Sequence, residues 1–413
     1  MRTAGIIMEC NPFHSGHRCV IEIARKIVDG GPVIVVMSGN FAQRGIPAVV
    51  SWKERARCVL EAGADIVLEL PVVSALSGAE GFARGAIRLL IQTGLVTDLV
   101  FGSESADANR MIRDAEFLLR EPEEFRILLK EKAASGFSYP RARAAAAAEC
   151  SERICLPSSP NDLLGTEYCK ALLAQNCLAG QERIEPLPES GRQAADPRAL
   201  PSPDASGSIL ITPHAIPRIP SPSASSLRLQ MQESGEGIFP DDFSGLLLEK
   251  LLILTRGSSG CACTDYLGVS LDLGNRIRRL LPRFVSWTQF CDLLKTRDIT
   301  YTAVSRALMH ILLDITSEFT EPAEPAYARL LGCRRAALPL LGELQAKGLV
   351  LVTGKADAAR LPGGSSAAKS LRLDIQAAET WELVRRMTRN NKTGEETDSS
   401  PVSEYSRPLL ILP

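Results

Sequence analysis

The chain has 413 residues, a formal net charge of −1 and 45% hydrophobic residues. This length is sufficient for two or three domains with a real core, and the balanced charge excludes nucleic-acid binding through an overall basic surface. Aromatic residues make up 5% of the chain, which disfavours a protein that stacks long single strands on aromatic rings.

The 11 cysteines show no Cys-x-x-Cys spacing. An odd number of cysteines and no signal-peptide pattern predict reduced thiols and a cytoplasmic location. The longest apolar stretch, residues 246–255, contains Glu249 and Lys250, and it is shorter than the roughly 20 residues that a membrane-spanning helix needs. We therefore expect no membrane partner.

Four apolar runs predict buried strands near the N-terminus, and amphipathic segments predict helices between them. The strands are predicted at 4–8, 34–39, 65–71 and 98–104, and the helices at 18–27, 53–62 and 81–90. This alternation predicts an α/β fold in which helices cover both faces of a parallel sheet. The carboxyl ends of such strands meet at one edge, where ligands bind.

The composition changes along the rest of the chain. We predict helices at 106–152 and 160–173, a loop or insertion at 187–222 where Pro, Ser, Ala and Gly dominate, helices at 233–319, and a helix with a short strand at 330–352. The predicted domains are 1–232, a mainly helical 233–388, and a flexible tail at 389–413.

Two of the four histidines, His14 and His17, lie where the first strand passes into the first helix. Side chains at this spacing face one side of a helix, and a helix N-terminus is a favourable place for a phosphate. Both imidazoles can therefore stabilise the charge that develops when a nucleotide's α-phosphorus is attacked. An ordinary helix cap with two exposed histidines is an alternative. A zinc site with Cys10 or Glu9 is less favoured, because no second ligand cluster is present.

The residues NPFHSGH resemble the HxGH signature of the nucleotidyltransferase superfamily, and the longer string GIIMECNPFHSGH at 5–17 resembles the opening of the bacterial tRNA(Met) cytidine acetate ligase family. Further blocks are similar to that family in the same order, at 35–71, 74–90, 99–104, 160–172, 223–228, 294–313 and 326–333. The resemblance therefore covers most of the chain.

The resemblance implies a parallel-sheet, Rossmann-like nucleotidyltransferase domain, followed by a mainly helical C-terminal domain that binds tRNA. It implies a ligase that uses ATP and acetate to form acetyl-adenylate and then acetylates N4 of the wobble cytidine of elongator tRNA(Met). ATP is then a substrate. No metal site is predicted, and a requirement for Mg²⁺ cannot be inferred because no clear carboxylate pair is present.

The resemblance also implies site residues. His14 and His17 would be catalytic, while Ser225, Ser226 and Arg228 would bind phosphate. The implied ATP-binding residues are Gly5, Ile6, Ile7, Met8, Glu9, Cys10, Asn11, Pro12, Phe13, His14, Ser15, Gly16, His17, Arg18, Gly102, Asn161 and Arg192.

One segment departs from the family. The family's Tyr-His-Asp is missing where the Pro/Ser-rich insertion stands, and Arg192 is out of register, with Arg218 as its alternative. Two other hypotheses stay open, and the departure supports the second of them. One is an adenylyltransferase that acts on small molecules, and the other is a non-catalytic RNA-binding protein on a decayed nucleotidyltransferase fold. For tRNA binding we expect basic residues of the helical part, at 276–283 and 295–306, to contact the RNA backbone.

Overall fold

Apolar strands that alternate with amphipathic helices form the centre of the molecule. The computed structural model describes residues 1–137, 139–151, 154, 156–179, 210–219, 222–256, 262–319, 327–393 and 403–413. The strands are β1 (Ala4–Met8), β2 (Val33–Ser38), β3 (Phe41–Ala42), β4 (Ile46–Pro47), β5 (Ile66–Leu70), β6 (Asp98–Ser103), β7 (Thr212–Pro217), β8 (Tyr327–Arg334), β9 (Val350–Val352) and β10 (Leu410–Leu412).

Helices occur both between the strands of the sheet and in the later part of the chain. They are α1 (Ser15–Ile27), α2 (Trp52–Glu61), α3 (Val72–Ala75), α4 (Ala79–Gln92), α5 (Ala108–Arg120), α6 (Glu123–Ala134), α7 (Tyr139–Cys150), α8 (Pro160–Ala179), α9 (Ala224–Glu233), α10 (Ser244–Arg256), α11 (Leu271–Leu280), α12 (Trp287–Leu294), α13 (Tyr301–Leu312), α14 (Leu338–Ala346), α15 (Lys355–Ala358) and α16 (Ser366–Thr393). Among the described residues, none of these helices combines the length and the apolar character that crossing a bilayer requires.

The main sheet has the strand order β10-β8-β5-β2-β1-β6-β7, with β9 beside β8. Strands β5, β2, β1, β6 and β7 run parallel to one another, which confirms the predicted α/β class. Successive side chains enter two separate cores: Ile7 and Ile34 pack on one face, and Ile6 and Val35 pack on the other. The predicted strands are continuous apolar runs because helices cover both faces.

Part of the predicted loop at 187–222 is a strand instead. Residues 212–217 form β7, parallel to β6, while 180–209, 220 and 221 lie outside the described residues. Pro213 and Pro217 are tolerated because β7 is the edge of the sheet, where a missing N–H breaks no second ladder. Ile216 is buried, and His214 Nε2 lies 2.8 Å from Asp98 Oδ1, so β7 is also held by its side chains.

The C-terminal part of the chain adds strands to the main sheet. These strand pairings were not predicted, because 233–388 was expected to be mainly helical and 389–413 to be a flexible tail. Strand β8 pairs antiparallel with β5, and β10 pairs parallel with β8. Buried Arg329 on β8 bridges Glu69 on β5 at 2.9 Å and Glu404 at 2.8 Å. Residues 403–413 are therefore ordered rather than a flexible tail, and 394–402 lie outside the described residues. The boundary between residues 232 and 233 stays a prediction.

Helices α10 to α13 enclose a further core around Trp287, Phe290 and Leu308. Phe41 of β3 belongs to the same core, so these helices pack directly against the loops of the sheet. The contact is closest at Gly45, where a Cβ atom would lie 2.3 Å from the backbone nitrogen of Arg306. Since Gly45 also has a φ of +72°, glycine is required there both by space and by backbone conformation.

Candidate functional site

A cavity of about 680 Å³ lies at the carboxyl edge of the parallel strands. This volume falls within the roughly 300–1,000 Å³ typical of small-molecule sites. Its wall combines the ends of β1 and β6, the first turns of α1, α8 and α9, the loop between β3 and β4, and one face of α13. The cavity therefore lies where the strand order predicted a ligand site.

The structure brings most of the predicted site residues into this wall. The predicted residues that line the cavity are Ile6, Ile7, Met8, Glu9, Cys10, Asn11, His14, Gly16, His17, Gly102, Asn161, Ser225 and Arg228. Arg218, the alternative to Arg192, also lines it, whereas Arg192 lies outside the described residues.

The remaining predicted residues are not part of the cavity wall: Gly5, Pro12, Phe13, Ser15, Arg18 and Ser226. Gly5 has a packing role, because a Cβ there would lie 2.8 Å from Val96. Ser226 lies in the first turn of α9, where its backbone N–H donates to the capping Ser223 Oγ at 3.0 Å. The ATP-contacting roles of all these residues stay predictions.

The two histidines form the N-terminal cap of α1. His14 Nδ1 accepts the backbone N–H of Gly16 at 3.1 Å, and His17 Nδ1 accepts the backbone N–H of His14 at 3.2 Å. Their ring centroids are 3.9 Å apart. In a neutral imidazole whose Nδ1 accepts, the proton is on Nε2. Each ring therefore presents an Nε2–H donor. The hydrogen bonds that cap α1 are thus the same ones that leave both Nε2–H groups as donors.

Both imidazoles are held in the neutral form. Burial and the nearby charge of Arg218 lower the pKa of His14, and burial together with His14 lowers the pKa of His17 to about 3. Two protonated rings at this separation would repel each other. Neutral rings can still donate hydrogen bonds to an anionic phosphate, which makes this pair suited to charge stabilisation rather than to proton transfer.

Arg228 connects the α9 side of the cavity to the first loop. Its Nη1 donates to the backbone oxygen of Asn11 at 2.6 Å, and its Nη2 donates to Ser225 Oγ at 2.9 Å. Ser223 caps α9. A cation and a hydroxyl beside a helix N-terminus are groups that bind phosphates in proteins, and the phosphate-binding role of Ser225 and Arg228 stays a prediction.

The β6 side of the cavity is open at Gly102, where a Cβ would meet nothing within 4 Å. Beside it, Glu104 accepts from Asn161 Nδ2 at 2.8 Å and from the backbone N–H of Asp162 at 3.1 Å. Arg218 Nη1 lies 3.7 Å from Glu104 Oε1. Asn161 is therefore positioned at the start of α8 by Glu104, a residue to which the sequence analysis gave no role.

Arg55 of α2 connects the loop after β1, which lines the cavity, to the loop after β2. Its guanidinium is buried and donates to the backbone oxygens of Glu9 at 2.8 Å and Ser38 at 3.0 Å, and also to that of Gly39. Burial lowers the pKa of Arg55 to about 10. Since strand ends leave carbonyl groups without ladder partners, this one side chain joins the ends of β1 and β2.

The wall also contains polar residues that were not predicted as ATP-binding residues, among them Gln43 and Arg44 in the β3–β4 loop, and Thr302 and Arg306 on α13. Arg44 belongs to a segment whose glycines, amides and cation fit carboxylate or nucleotide binding. Arg306 was assigned only to a basic surface. Sequence spacing gave no indication that α13 reaches the cavity, because its position depends on the contact at Gly45. The described residues contain no cluster of three or more metal-ligating side chains.

Comparisons with known proteins agree with this geometry. Residues 1–397 match the family described as HIGH Nucleotidyl Transferase. A tRNA(Met) cytidine acetate ligase of Acetivibrio thermocellus is 32% identical over 413 aligned residues, which cover 96% of this chain and 98% of that protein. One of the same name from Thermosipho melanesiensis is 32% identical, over 84% of this chain and 82% of the relative.

The fold also matches solved structures over its whole length. The crystal structure of Thermotoga maritima TmcAL bound with alpha-thio ATP has a TM-score of 0.79 to this chain, at 26% identity over 100% of both chains. The apo form of the same protein gives the same TM-score at 25% identity.

The fold, the paired histidines and the family match define a HIGH nucleotidyl transferase. Within that class, the chain belongs to the tRNA(Met) cytidine acetate ligase family, which confirms the sequence resemblance.

Proposed function

We propose that this protein activates acetate with ATP and transfers the acetyl group to N4 of the wobble cytidine of elongator tRNA(Met). The observation that carries the proposal is the convergence of His14, His17, Ser225 and Arg228 on one cavity at the carboxyl edge of the sheet. The family membership and the ATP-analogue complex of the Thermotoga maritima relative support the same substrate.

In the first step, an acetate oxygen attacks the α-phosphorus of ATP. A new O–P bond forms, the bond from the α-phosphorus to the bridging oxygen breaks, and pyrophosphate leaves with the electron pair. The Nε2–H groups of His14 and His17 stabilise the charge on the α-phosphoryl oxygens. Ser225, Arg228 and the N-terminus of α9 hold the departing phosphates.

In the second step, the N4 amine of cytidine attacks the acetyl carbon of acetyl-adenylate. A C–N bond forms, the C–O bond to AMP breaks, and AMP leaves with the electron pair while N4 loses a proton to water. A wobble base in a single-stranded anticodon loop can be turned out of its stack to reach such a cavity. The α13 wall, with Thr302 and Arg306, links the cavity to the helical part of the chain.

The helical part, residues 233–388, is the proposed tRNA-binding region. Its exposed cations include Arg278, Arg279, Arg283 and Lys295. Such surface charges bind RNA phosphates without needing a positive charge on the whole protein. The catalytic region in this proposal is 1–232, whose sheet is extended by strands β8 and β9 of the C-terminal region and by β10.

The test uses the full chain with ATP, labelled acetate and unmodified tRNA(Met). We expect label on cytidine N4 and, without tRNA, acetate-dependent exchange of pyrophosphate into ATP. Elongator tRNA(Met) with uridine at the wobble position is the control and should take no label. Exchange without any transfer to tRNA would instead favour an adenylyltransferase that acts on small molecules. Absence of both activities would contradict the proposal.

A further inference from the structure

Two amide groups at the wall of the cavity have no hydrogen-bond acceptor within the described parts of the chain. They are Nδ2 of Asn11 and Nε2 of Gln43, and both atoms are buried. The Asn11 side chain is almost fully enclosed, with a relative exposure of 4%, yet the residue borders the cavity. A buried N–H without an acceptor costs about 1–3 kcal/mol. Two such groups at the same cavity indicate that a ligand supplies the missing acceptors.

Neighbouring contacts fix where these amides lie. Asn11 Oδ1 accepts the backbone N–H of Val49 at 2.8 Å, which leaves Nδ2 as the free end of the amide. The backbone N–H of Gln43 donates to Glu9 Oε1 at 2.6 Å, and its carbonyl oxygen accepts from Arg306 Nη1 at 3.4 Å. The backbone of the β3–β4 loop is therefore held between the first loop and α13 at Gln43.

The charges around Gln43 favour a small anion. Arg44 follows it in the chain, Arg306 contacts its carbonyl oxygen, and both arginines line the cavity. Glu9, whose carboxylate holds the backbone N–H of Gln43, is the opposing charge of this group. Two guanidinium groups and two neutral amides against one carboxylate leave a net positive environment that accepts one negative charge.

A carboxylate fits the cluster of Asn11, Gln43, Arg44 and Arg306 better than a polyphosphate does. The triphosphate has its own partners on the first turns of α1 and α9, where His14, His17 and Arg228 lie. The unpartnered amide of Gln43 belongs instead to the β3–β4 loop, whose backbone contacts α13 and the carboxylate of Glu9, and this negative charge disfavours a polyanion. Asn11 lies on the first loop two residues from Glu9, and its side chain is joined to the residues after β4 by the hydrogen bond from the Val49 backbone N–H. Planar N–H donors match the two in-plane oxygens of a carboxylate.

We propose that Asn11 Nδ2 and Gln43 Nε2, with the guanidinium groups of Arg44 and Arg306, hold the carboxylate of the acyl substrate. This proposal rests on the proposed function and names the part of the cavity that receives acetate. The attacking oxygen is then presented to the α-phosphorus by groups separate from those that hold the phosphates, which gives the positioning that a two-substrate reaction requires.

The experiment is acetate-dependent exchange of pyrophosphate into ATP, measured against acetate and against ATP with Gln43→Met and Gln43→Glu. Gln43→Met removes the donor with little change of size and keeps both backbone contacts. We expect it to raise KM for acetate by about 10- to 100-fold, the loss of one hydrogen bond to a charged group. Gln43→Glu places a negative charge beside acetate, so it should raise KM for acetate further. KM for ATP should be unchanged in both variants.

Gln376→Glu, on the exposed face of α16, makes the same charge change away from the cavity and should leave both KM values unchanged. ATP binding by calorimetry shows that each variant is folded. Two results overturn the proposal while the wild-type protein acetylates tRNA: an unchanged KM for acetate in both Gln43 variants, or an equal increase in KM for ATP. A wild-type protein without acetate-dependent exchange removes the proposed function itself.

Discussion

The imidazole rings of His14 and His17 lie with their centroids 3.9 Å apart, and each accepts a backbone N–H at Nδ1. The same hydrogen bonds that cap α1 also fix the tautomer in which Nε2 carries the proton. The capping role and the proposed catalytic role therefore fall on the same pair of side chains. Substitutions that separate the two roles can be chosen from helix-capping chemistry.

The substitution His14→Asn separates the capping role of this side chain from its proposed catalytic role. Asparagine is a favourable N-cap residue, so we expect the free energy of unfolding to stay near that of the wild type, whereas His14→Ala should lose about 1 kcal/mol. Both variants lose the donor at the α-phosphoryl group, and we expect the exchange rate to fall about 100-fold or more in each. Urea denaturation and pyrophosphate exchange measure the two effects. A wild-type exchange rate in His14→Asn would remove the catalytic assignment.

His17 gives the stability of the protein a specific pH dependence. Its folded-state pKa is lowered to about 3, chiefly by burial, while an unfolded histidine titrates near 6.5. Between these values the unfolded chain binds more protons, so stability falls as pH decreases from about 6.5 toward 3. From pH 7.5 to 5.5 we expect a loss of about 1 kcal/mol from this group.

The matched variant for this measurement is His17→Gln, because glutamine at the third helical position can still complete a capping box. Every other titrating group is common to both proteins. The difference between their urea-unfolding free energies at pH 7.5 and 5.5 therefore isolates His17. Parallel pH profiles in the two proteins would show that the ring is not held neutral.

The strands near the N-terminus could be predicted from the sequence to within about two residues, because parallel strands covered on both faces are continuous apolar runs. Strands β7 and β8 could not be predicted. The segment that forms β7 contains Pro213 and Pro217, which favour a loop in any local analysis. Strand β8 pairs with β5 across more than half of the chain, and the buried ion pairs of Arg329 that fix it depend on tertiary structure.

The candidate site likewise contains residues that could be predicted from the sequence and residues that could not. The residues at 5–17 are contiguous and carry a specific motif, so they could be located directly. Thr302 and Arg306 reach the cavity only because α13 packs on Gly45, and a glycine in a polar loop gives no information about its distant partner. Gln43 lies in the polar loop between β3 and β4, and only the structure shows that its side-chain amide is buried without an acceptor among the described residues.

Arg55 is expected to be a positioning residue. Arg55→Lys keeps the charge but cannot reach the carbonyl oxygens of Glu9, Ser38 and Gly39 together, because lysine lacks the planar fork. We expect a loss of about 2–4 kcal/mol in unfolding free energy, from buried carbonyls left without donors. The loops that hold ATP should also loosen, so KM for ATP should rise.

Arg57→Lys is the control for this substitution, since Arg57 is exposed on the same helix. A surface change of this kind should alter stability by less than about 0.5 kcal/mol. Urea denaturation and exchange kinetics on both variants test the assignment. Equal stability of Arg55→Lys and Arg57→Lys would show that the buried guanidinium does not hold the loops.

The exposed arginines of α11 and the turn after it give a prediction for tRNA. Combined replacement of Arg278, Arg279 and Arg283 by alanine should weaken binding of unmodified tRNA(Met) and leave tRNA-independent pyrophosphate exchange unchanged. If each arginine contacts a phosphate, the slope of log affinity against log salt concentration should decrease by about 2 to 3. Filter binding across a salt series measures that slope.

A triple variant with the same loss of charge controls for nonspecific electrostatics. Arg120, Arg335 and Arg360 are exposed on other elements, and their replacement by alanine should leave the salt slope nearly unchanged. The comparison distinguishes a local basic surface from the charge of the whole protein, because both variants have the same net charge. Equal loss of affinity in the two variants would show that tRNA is not held at α11, and an intact exchange rate in both would confine the defect to RNA binding.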